Sequence, residues 1–318
     1  MYGVVEPVLP APAAPTDRRA LRGYVMVSAA AILFAVNGTV SKVILASGLS
    51  SLRLAQVRST GAFAVLLVGI VVARPHLLRV TRRELAFLAV FGVVGLASVQ
   101  VFYFLAIHRL AIGIALLIQY LAPLLVALWA RYAMHEAVRR RIWGALALAL
   151  AGLGLIVQVW RGVELDGLGV TFALIAAVAF AFYILLAERA VSRRDAISVS
   201  CYGFFFAALF WAIVQPWWSF PGAVPGRDVS LLGNLVHLHL PVWVLLTWMV
   251  LFGTIVPFAL VVGALRHISA TRAGVVAMLE PVAATVVAYA WLAESLSAVQ
   301  IAGGLVVLAG ILLAQSAR

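Results

Sequence analysis

Long apolar stretches separated by short polar connections dominate this chain. Ten stretches of about 19 residues carry little or no charge, close to the roughly 20 residues that a helix needs to cross a bilayer. The stretches are continuous and show no period of two, so the pattern favours helices over strands. The predicted spans are 23–46, 54–73, 85–107, 111–132, 142–160, 168–187, 197–215, 241–265, 273–293 and 298–315.

The composition leads to the same fold class. Of the 318 residues, 65% are hydrophobic and 11% are charged, whereas a soluble domain is about 45–50% apolar and about 25% charged. The excess apolar surface must face lipid, so we expect an all-α membrane protein with membrane lipids as its surroundings. The single cysteine, Cys201, excludes an internal disulfide and a cysteine-based metal site.

The charge is unevenly distributed between the two sides of these spans. The net charge of +12 comes from 22 arginines and one lysine against 11 acids. If the N-terminus is cytoplasmic, the segments on that side hold 17 arginines and the opposite side, with its adjoining helix starts, holds five: Arg53, Arg58, Arg109, Arg161 and Arg227. This asymmetry is the positive-inside pattern. It predicts a multi-pass protein of the cytoplasmic membrane with both termini in the cytoplasm, and it replaces nucleic acid as the explanation of the basic charge.

One connection on the opposite side, 216–240, is long. Trp217 and Trp218 suit the headgroup level of a membrane. His237 and His239 form an H-x-H pair without a third ligand at suitable spacing, so we interpret them as loop histidines and predict no metal site.

An internal repeat appears when the chain is shifted by 158 residues. Without a gap over some 60 residues, Gly95 meets Gly253, Pro123 meets Pro281 and Glu136 meets Glu294. Each half holds five predicted spans, and because five is odd, the second copy must be inverted relative to the first. Inverted repeats with a site near the midplane recur in secondary transporters. We therefore divide the chain into a disordered cytoplasmic tail (1–21), rich in Pro and Ala, and two inverted five-helix repeats (22–162 and 163–318).

The matched segments resemble a known family. From Tyr103 the first copy reads YFLAIHRLAIGIALLIQYLAPLLVALWARYAMHE, and from Val261 the second reads VVGALRHISATRAGVVAMLEPVAATVVAYAWLAE. Both resemble the EamA-type repeat of the drug/metabolite transporter superfamily, most closely at Leu279-Glu280-Pro281. The first copy has Ala122 in place of the acid. The resemblance implies a transporter that exports metabolites or amino acids, and it says little about the cargo.

Glu280 is the one carboxylate that the pattern places deep in the membrane. It lies about 10–13 Å into its span, at about 1.5 Å per residue, and the other acids fall in loops or at span ends. A buried carboxylate is costly unless it is paired or protonated, so intramembrane acids are functional candidates. Glu280 is either a proton-sensitive or amine-binding group, or a protonated group that hydrogen-bonds a neighbouring helix.

Other polar side chains within the spans complete the candidate solute-binding set. Each could line a polar cavity or merely bridge two helices, since a polar group in hydrocarbon needs a partner. Lys42 could instead extend to the outer interface. The set comprises Asn37, Lys42, Gln100, Tyr103, Gln119, Tyr120, Tyr183, Tyr202 and Glu280.

Pro123 and Pro281 lie inside spans. Each removes a backbone hydrogen bond and bends its helix. Their matching places in the two halves predict a pair of hinges, with a simple packing kink as the alternative.

Several function classes lack their motifs. The only lysine, Lys42, follows Thr-Val-Ser rather than a glycine-rich turn, so no phosphate loop exists and ATP is not the direct energy source. His135-Glu136 is not followed by the second histidine of a metalloprotease motif. The sequence predicts a secondary transporter, not an enzyme and without cofactors, that moves a small amino-acid-like or drug-like molecule by alternating access, with proton coupling as a candidate. A membrane enzyme acting on a lipid-soluble substrate and a channel are the alternatives.

Overall fold

A computed structural model of the chain describes residues 17–110, 112–160 and 166–316. Within these ranges ten helices are long and apolar enough to cross a membrane, which confirms the predicted number of spans. Their ends lie within about five residues of the predicted ends: Arg18–Ala46, Ser51–Ala73, Arg82–Ile107, Ile114–Tyr132, Arg140–Val157, Gly167–Val191, Ala196–Val214, Val242–Ala264, Ala270–Leu292 and Ala298–Ser316.

Four of the ten spans are irregular, so the chain forms fourteen described α-helices. The third and eighth spans each contain a π-helical segment, Phe91–Ala97 and Leu251–Ile255, and the fourth and ninth are broken in the middle. The helices are α1 (Asp17–Ala46), α2 (Ser51–Ala73), α3 (Arg82–Val90), α4 (Ser98–Ile107), α5 (Ile112–Gln119), α6 (Ala122–Tyr132), α7 (Arg140–Val157), α8 (Gly167–Val191), α9 (Ala196–Val214), α10 (Val242–Val250), α11 (Val256–Ala264), α12 (Ala270–Ala277), α13 (Leu279–Leu292) and α14 (Ala298–Ser316).

Helix α1 begins earlier than the predicted first repeat. It starts at Asp17, so the predicted boundary between residues 21 and 22 falls inside a helix. Residues 1–16 of the predicted tail lie outside the described part. The predicted boundary between the two repeats, at residues 162 and 163, lies outside it as well, because residues 161–165 are not described.

Polar side chains fix where several spans begin. The Ser50 hydroxyl accepts a hydrogen bond from Arg53 N–H at the start of α2. Thr81 and Glu84 form a reciprocal capping box at the start of α3. Asp166 caps α8 by accepting from Gly169 N–H. These caps satisfy amide groups that have no partner within the helix, which a membrane interior would not hydrogen-bond.

The inverted repeat appears in the backbone at the same offset of 158 residues. Helix α5 maps onto α12 from its first residue to its last. The two π-helical segments overlap at this offset. His135 and Ala293 also match, and both adopt the left-handed conformation, with φ of 56° and 58°. Because irregular features coincide as well as helices, the predicted two-repeat architecture is confirmed.

The last span of each repeat packs tightly against the other. A Cβ on Gly152 of α7 would lie 2.6 Å from the Gly303 carbonyl oxygen of α14, and a Cβ on Gly310 would lie 2.8 Å from the Ala145 carbonyl oxygen. These two contacts are equivalent under the repeat, since each residue lies 158 positions from its counterpart. Small residues allow the backbones to approach this closely, as is typical of packing in membranes.

Successive spans run in opposite directions, which gives the bundle two faces. The arginine-rich face carries Arg194, whose guanidinium donates to the Leu77 carbonyl oxygen at 2.8 Å. On this face Arg266 also lies 3.8 Å from the Asp195 carboxylate. These contacts join the second, sixth, seventh and eighth spans.

The long-loop face carries the segment 216–241. This segment contains a two-stranded antiparallel ribbon, β1 (Asp228–Ser230) and β2 (His239–Pro241), which the sequence pattern does not predict. The indole N–H of Trp291 in α13 donates to the Leu231 carbonyl oxygen at 2.8 Å. The segment therefore packs on the end of the ninth span.

Candidate functional site

The breaks in the fourth and ninth spans meet around Glu280. Glu280 follows directly after the break between α12 and α13, and Tyr120 lies in the break between α5 and α6. The Tyr120 hydroxyl interacts with the Glu280 carboxylate. Tyr103 of α4 also interacts electrostatically with this carboxylate. Three sequence-predicted site residues from both repeats are thus brought together in the middle of the bundle.

A row of aromatic rings extends from Tyr120 through the bundle. The ring centroids of Tyr120 and Phe180 are 6.3 Å apart, and those of Phe180 and Tyr183 are 6.1 Å apart. The row continues from Tyr183 to Phe258 at 5.8 Å. These rings form an apolar wall that connects the surroundings of Glu280 with the second and eighth spans.

Arg58 stands at the far end of this aromatic row. Its Cζ atom lies 5.5 Å from the centroid of the Phe258 ring, a distance at which a guanidinium is attracted to a ring face. Its Nε–H donates to the Thr254 hydroxyl at 3.0 Å. The charge of Arg58 acts on Glu280 and on Tyr183. Arg58 and Glu280 therefore give the site one positive and one negative group.

Sequence reasoning missed Arg58 as a site residue. The charge pattern counted it among the arginines on the outer side, whereas it lies within α2, which begins at Ser51. Seven residues of helix place it about 10 Å inside the span. The predicted span began at residue 54 and placed Arg58 near a helix start, where an arginine is typical of the flanking connection.

Four polar atoms of the predicted set have no hydrogen-bond partner in the part of the chain that the structure describes. They are buried oxygen atoms of Asn37, Gln100, Gln119 and Tyr183. Asn37 packs against Gly253, where an added Cβ would collide with its amide. Buried polar groups without partners are rare and require an explanation, and a bound ligand or water would supply one.

Lys42 and Tyr202 lie away from this centre. Lys42 Nζ is 2.9 Å from the Glu294 carboxylate on the long-loop face, where more than half of each side chain is exposed. The Tyr202 hydroxyl donates to the Leu78 carbonyl oxygen at 2.7 Å and thereby ties α9 to the connection before α3. Neither side chain faces the group formed by Glu280, Tyr120 and Arg58.

Pro123 and Pro281 are both buried, and each lies at the start of the second half of a broken span. Proline fits the first turn of a helix, because the missing N–H would have no partner there. The breaks therefore coincide with the two residues predicted as hinges.

A separate cavity of about 440 Å³ opens on the arginine-rich face. Its lining is charged and includes Glu136, Glu188, Arg139 and Arg266. The Glu188 carboxylate accepts a hydrogen bond from Ala270 N–H at 2.8 Å, which caps α12. This cavity does not include Glu280 or Arg58, so it is distinct from the central site.

Comparison with protein-family models gives one match that covers nearly the whole chain. The model described as the EamA-like transporter family matches residues 21–158 and 167–315. The two matched ranges coincide closely with the two halves of the repeat.

Several relatives are named as transporters. A protein named "Uncharacterized transporter" from Archaeoglobus fulgidus is 28% identical over 73% of this chain and 76% of its own length. The threonine/homoserine exporter RhtA of Salmonella typhimurium is 27% identical over 74% of this chain and 72% of its own. An uncharacterized inner membrane transporter of the same organism, YicL, is 22% identical over 92% and 94%.

A solved crystal structure of another protein has the same fold. It superimposes with a TM-score of 0.75 and covers 94% of this chain and 96% of that protein, at 18% sequence identity. At this identity the likeness concerns the fold alone.

Proposed function

Because this chain belongs to the EamA-like transporter family, we propose that it is a secondary transporter that exports a small amino-acid-like or drug-like metabolite by alternating access. Membership of the family supports a membrane transporter. The direction, the kind of solute and the mechanism are our proposal.

One observation carries this proposal. Glu280, a carboxylate in the middle of the bundle, lies at the junction of two broken spans that belong to the two inverted repeats. Two inverted halves can adopt two nearly equivalent arrangements that open to opposite faces. A polar group at their junction can then meet the solute from either face, which a carrier requires.

The broken spans supply the moving parts. We propose that α5 and α6 pivot at Pro123, and that α12 and α13 pivot at Pro281. The proline rings prevent a continuous hydrogen-bond ladder through each break, so bending there costs little. Alternate closure of the two faces around Glu280 would carry the bound solute across.

Glu280 also offers a means of proton coupling. An ionised carboxylate in hydrocarbon needs a positive partner, and a proton or the positively charged group of a solute can serve. If the two compete for Glu280, each solute that leaves is exchanged for a proton. The Tyr120 hydroxyl keeps the carboxylate in place during this exchange.

The arginine-rich face is proposed to be cytoplasmic, with both termini on that side of the cytoplasmic membrane. The positive-inside pattern supports this orientation. Export is supported by the relative RhtA, which is named as an exporter. The charged cavity on the arginine-rich face would then be the place where a cytoplasmic solute first meets the protein.

Substrate-dependent counterflow tests the function. The purified full-length chain is reconstituted into proteoliposomes that are loaded with an unlabelled amino acid or another metabolite. Uptake of the labelled compound above its equilibrium level is expected for a carrier. Flux that merely equilibrates would indicate a channel, and the absence of exchange with every compound of a broad panel would contradict transport.

A further inference from the structure

Arg58 is held firmly in the wall of the central site. Its Nε–H donates to the Thr254 hydroxyl at 3.0 Å, and that hydroxyl donates to the Met249 carbonyl oxygen at 2.9 Å. Phe258 lies under the guanidinium. Because Thr254 is anchored to the backbone, the direction of the guanidinium is set by the eighth span.

Most of the donors on Arg58 remain available. A guanidinium carries five N–H groups in a planar fork. Within the described residues only the Nε–H has a protein acceptor. Glu280 acts on Arg58 through its charge, but no nitrogen–oxygen pair between them is within 4.0 Å. The terminal nitrogens thus form a fork of charged donors without a hydrogen-bond acceptor among the described residues.

Neighbouring side chains are unpartnered as well. Tyr183 is 4% exposed, and its hydroxyl has no hydrogen-bond partner among the described residues, although the charge of Arg58 acts on it. Asn37 is 5% exposed and its Oδ1 also lacks a partner. Two nearly buried polar groups and the terminal nitrogens of Arg58 thus lack hydrogen-bond partners among the described residues. A bound ligand with polar and negatively charged groups would supply these partners.

We propose that Arg58 binds the carboxylate of the transported solute while Glu280 binds its positively charged group, so that the solute is a zwitterion of the α-amino-acid type. This inference rests on the transporter function proposed above and narrows its amino-acid-like or drug-like solutes to one class. The planar fork of a guanidinium matches the two oxygens of a carboxylate. The end members of the aromatic row, Tyr120 and Phe258, adjoin Glu280 and Arg58. The row offers an apolar surface to the solute's side chain.

The opposite charges explain why a zwitterion fits better than an amine or an acid. An amine would satisfy Glu280 and leave the guanidinium without an acceptor. A simple acid would satisfy Arg58 and leave the carboxylate of Glu280 without a cation. Removing one member of a buried charged pair costs roughly 30-fold or more in affinity. We therefore expect at least this preference for an amino acid over its decarboxylated amine.

Counterflow in proteoliposomes measures this preference directly. Neutral L-amino acids are compared with the amines that lack only the carboxylate, using the full-length protein. Arg58→Gln removes the charge but keeps a polar side chain of similar reach. It should raise the KM for the amino acid roughly 30-fold or more and leave the KM for the amine nearly unchanged, so that the preference disappears. Arg58→Lys should keep the preference, with weaker binding than wild type, because the positive charge remains.

Arg109→Gln is the matched control. Arg109 loses the same charge, but it lies on the long-loop face in an exposed pair with Asp166 at 3.4 Å. It should leave the preference intact. An Arg58→Gln protein that still prefers amino acids to amines overturns the inference.

A second variant keeps the test decisive if Arg58→Gln does not fold. Thr254→Val preserves shape and removes the hydroxyl that orients Arg58, so it should raise the KM for amino acids and not for amines. Equal KM values for this variant and the wild type would overturn the inference. If the wild type exchanges amines or other metabolites but no amino acid, the proposal of a zwitterionic solute is refuted and the proposed transporter function is retained. The absence of any exchange would refute both proposals.

Discussion

Gly274 of α12 lies directly against Pro123 of α6: a Cβ on Gly274 would be 3.0 Å from the Pro123 Cβ. The repeat places Leu116 and Pro281 in the equivalent positions on the other side of the bundle. Helix α12 packs along α6, whereas no comparable interface joins the described residues of α5 to α13. The two halves are therefore equivalent in topology and unequal in packing.

The burial of the two helices that follow the breaks, α6 and α13, shows the same inequality. Helix α6 has five buried residues, Ala122, Pro123, Val126, Ala127 and Ala130, whereas α13 has only Pro281. The Glu188 carboxylate adds a bond from α8 to α12 on the arginine-rich side. We interpret this conformation as closed at the arginine-rich face, with the looser packing toward the long-loop face.

The first prediction concerns the glycine in this contact. Gly274→Leu should push α12 away from α6, because a leucine cannot fit where even a Cβ is tight. Overpacking costs about 1–3 kcal/mol, which would shift an equilibrium between closed and open states by about 5- to 150-fold. Ala127 lies one turn from Pro123 and is fully buried. In a Cys201→Ser background, a cysteine introduced as Ala127→Cys should react correspondingly faster with an impermeant maleimide applied to the arginine-rich face.

Gly154→Leu provides the control for that experiment. Gly154 lies in α7, and a Cβ there would meet nothing within 4 Å. The substitution should not change labelling at position 127. Equal labelling of the Gly274→Leu and Gly154→Leu proteins would show that the contact does not close the bundle.

The sequence predicts the helices and their breaks better than it predicts the contacts between helices. Spans, the repeat and the broken helices follow from local hydropathy and from prolines such as Pro123, so they can be predicted. The contact of Glu280 with Tyr120 joins residues 160 positions apart in different repeats, and it depends on how helices pack. In a membrane a helix is apolar on its lipid face and on its packed face alike, so periodicity does not report which side faces a cavity.

Lys42 and Tyr202 illustrate the same limit. Both have the residue types of a cavity lining, and both lie elsewhere because partners at helix ends are available to them: Glu294 for Lys42 and the Leu78 carbonyl for Tyr202. Arg58 was missed for the opposite reason. Positive charge near a helix start is typical of a loop, and only packing against Thr254 and Phe258 shows its position inside the bundle.

The second prediction concerns orientation. Single cysteines introduced as Arg79→Cys and Gly222→Cys, in the Cys201→Ser background, mark the arginine-rich face and the long-loop face. From outside intact cells, an impermeant reagent should label position 222 and not position 79, because arginine-rich connections are retained in the cytoplasm. The reverse labelling would contradict the proposed topology. It would also remove the cytoplasmic position of the charged cavity, which the proposed path of export uses.

The third prediction concerns the hinges. Pro123→Ala and Pro281→Ala should leave the protein folded, because neighbouring helices can satisfy the backbone groups in either case. Alanine allows a continuous hydrogen-bond ladder and so stiffens each break. The turnover rate in counterflow should fall, most strongly in the double variant. A double variant with wild-type turnover would leave both prolines as packing kinks.

The last prediction concerns Glu280, on which proton coupling depends. Among the described residues, the charged and titratable groups that act on it are Arg58, Tyr103 and Tyr120. In the wild type, protons should compete with the solute as the pH falls, by at most about tenfold per pH unit for a single group. Glu280→Gln keeps the shape and the capacity for hydrogen bonding but cannot titrate.

This variant should therefore insert normally and still bind solute, but more weakly, because the negative partner of the solute's positive group is gone. Its counterflow rate should lose the pH dependence of the wild type. Glu294→Gln is the matched control, because Glu294 makes an exposed pair with Lys42 at the long-loop face. This control removes the same charge but leaves the surroundings of Glu280 unchanged, so it should retain the wild-type pH profile. Solute binding by Glu280→Gln is measured in detergent by thermal shift, so that loss of binding is separated from loss of coupling. A Glu280→Gln protein with the rate and the pH profile of the wild type would show that Glu280 only joins α13 to the break at Tyr120.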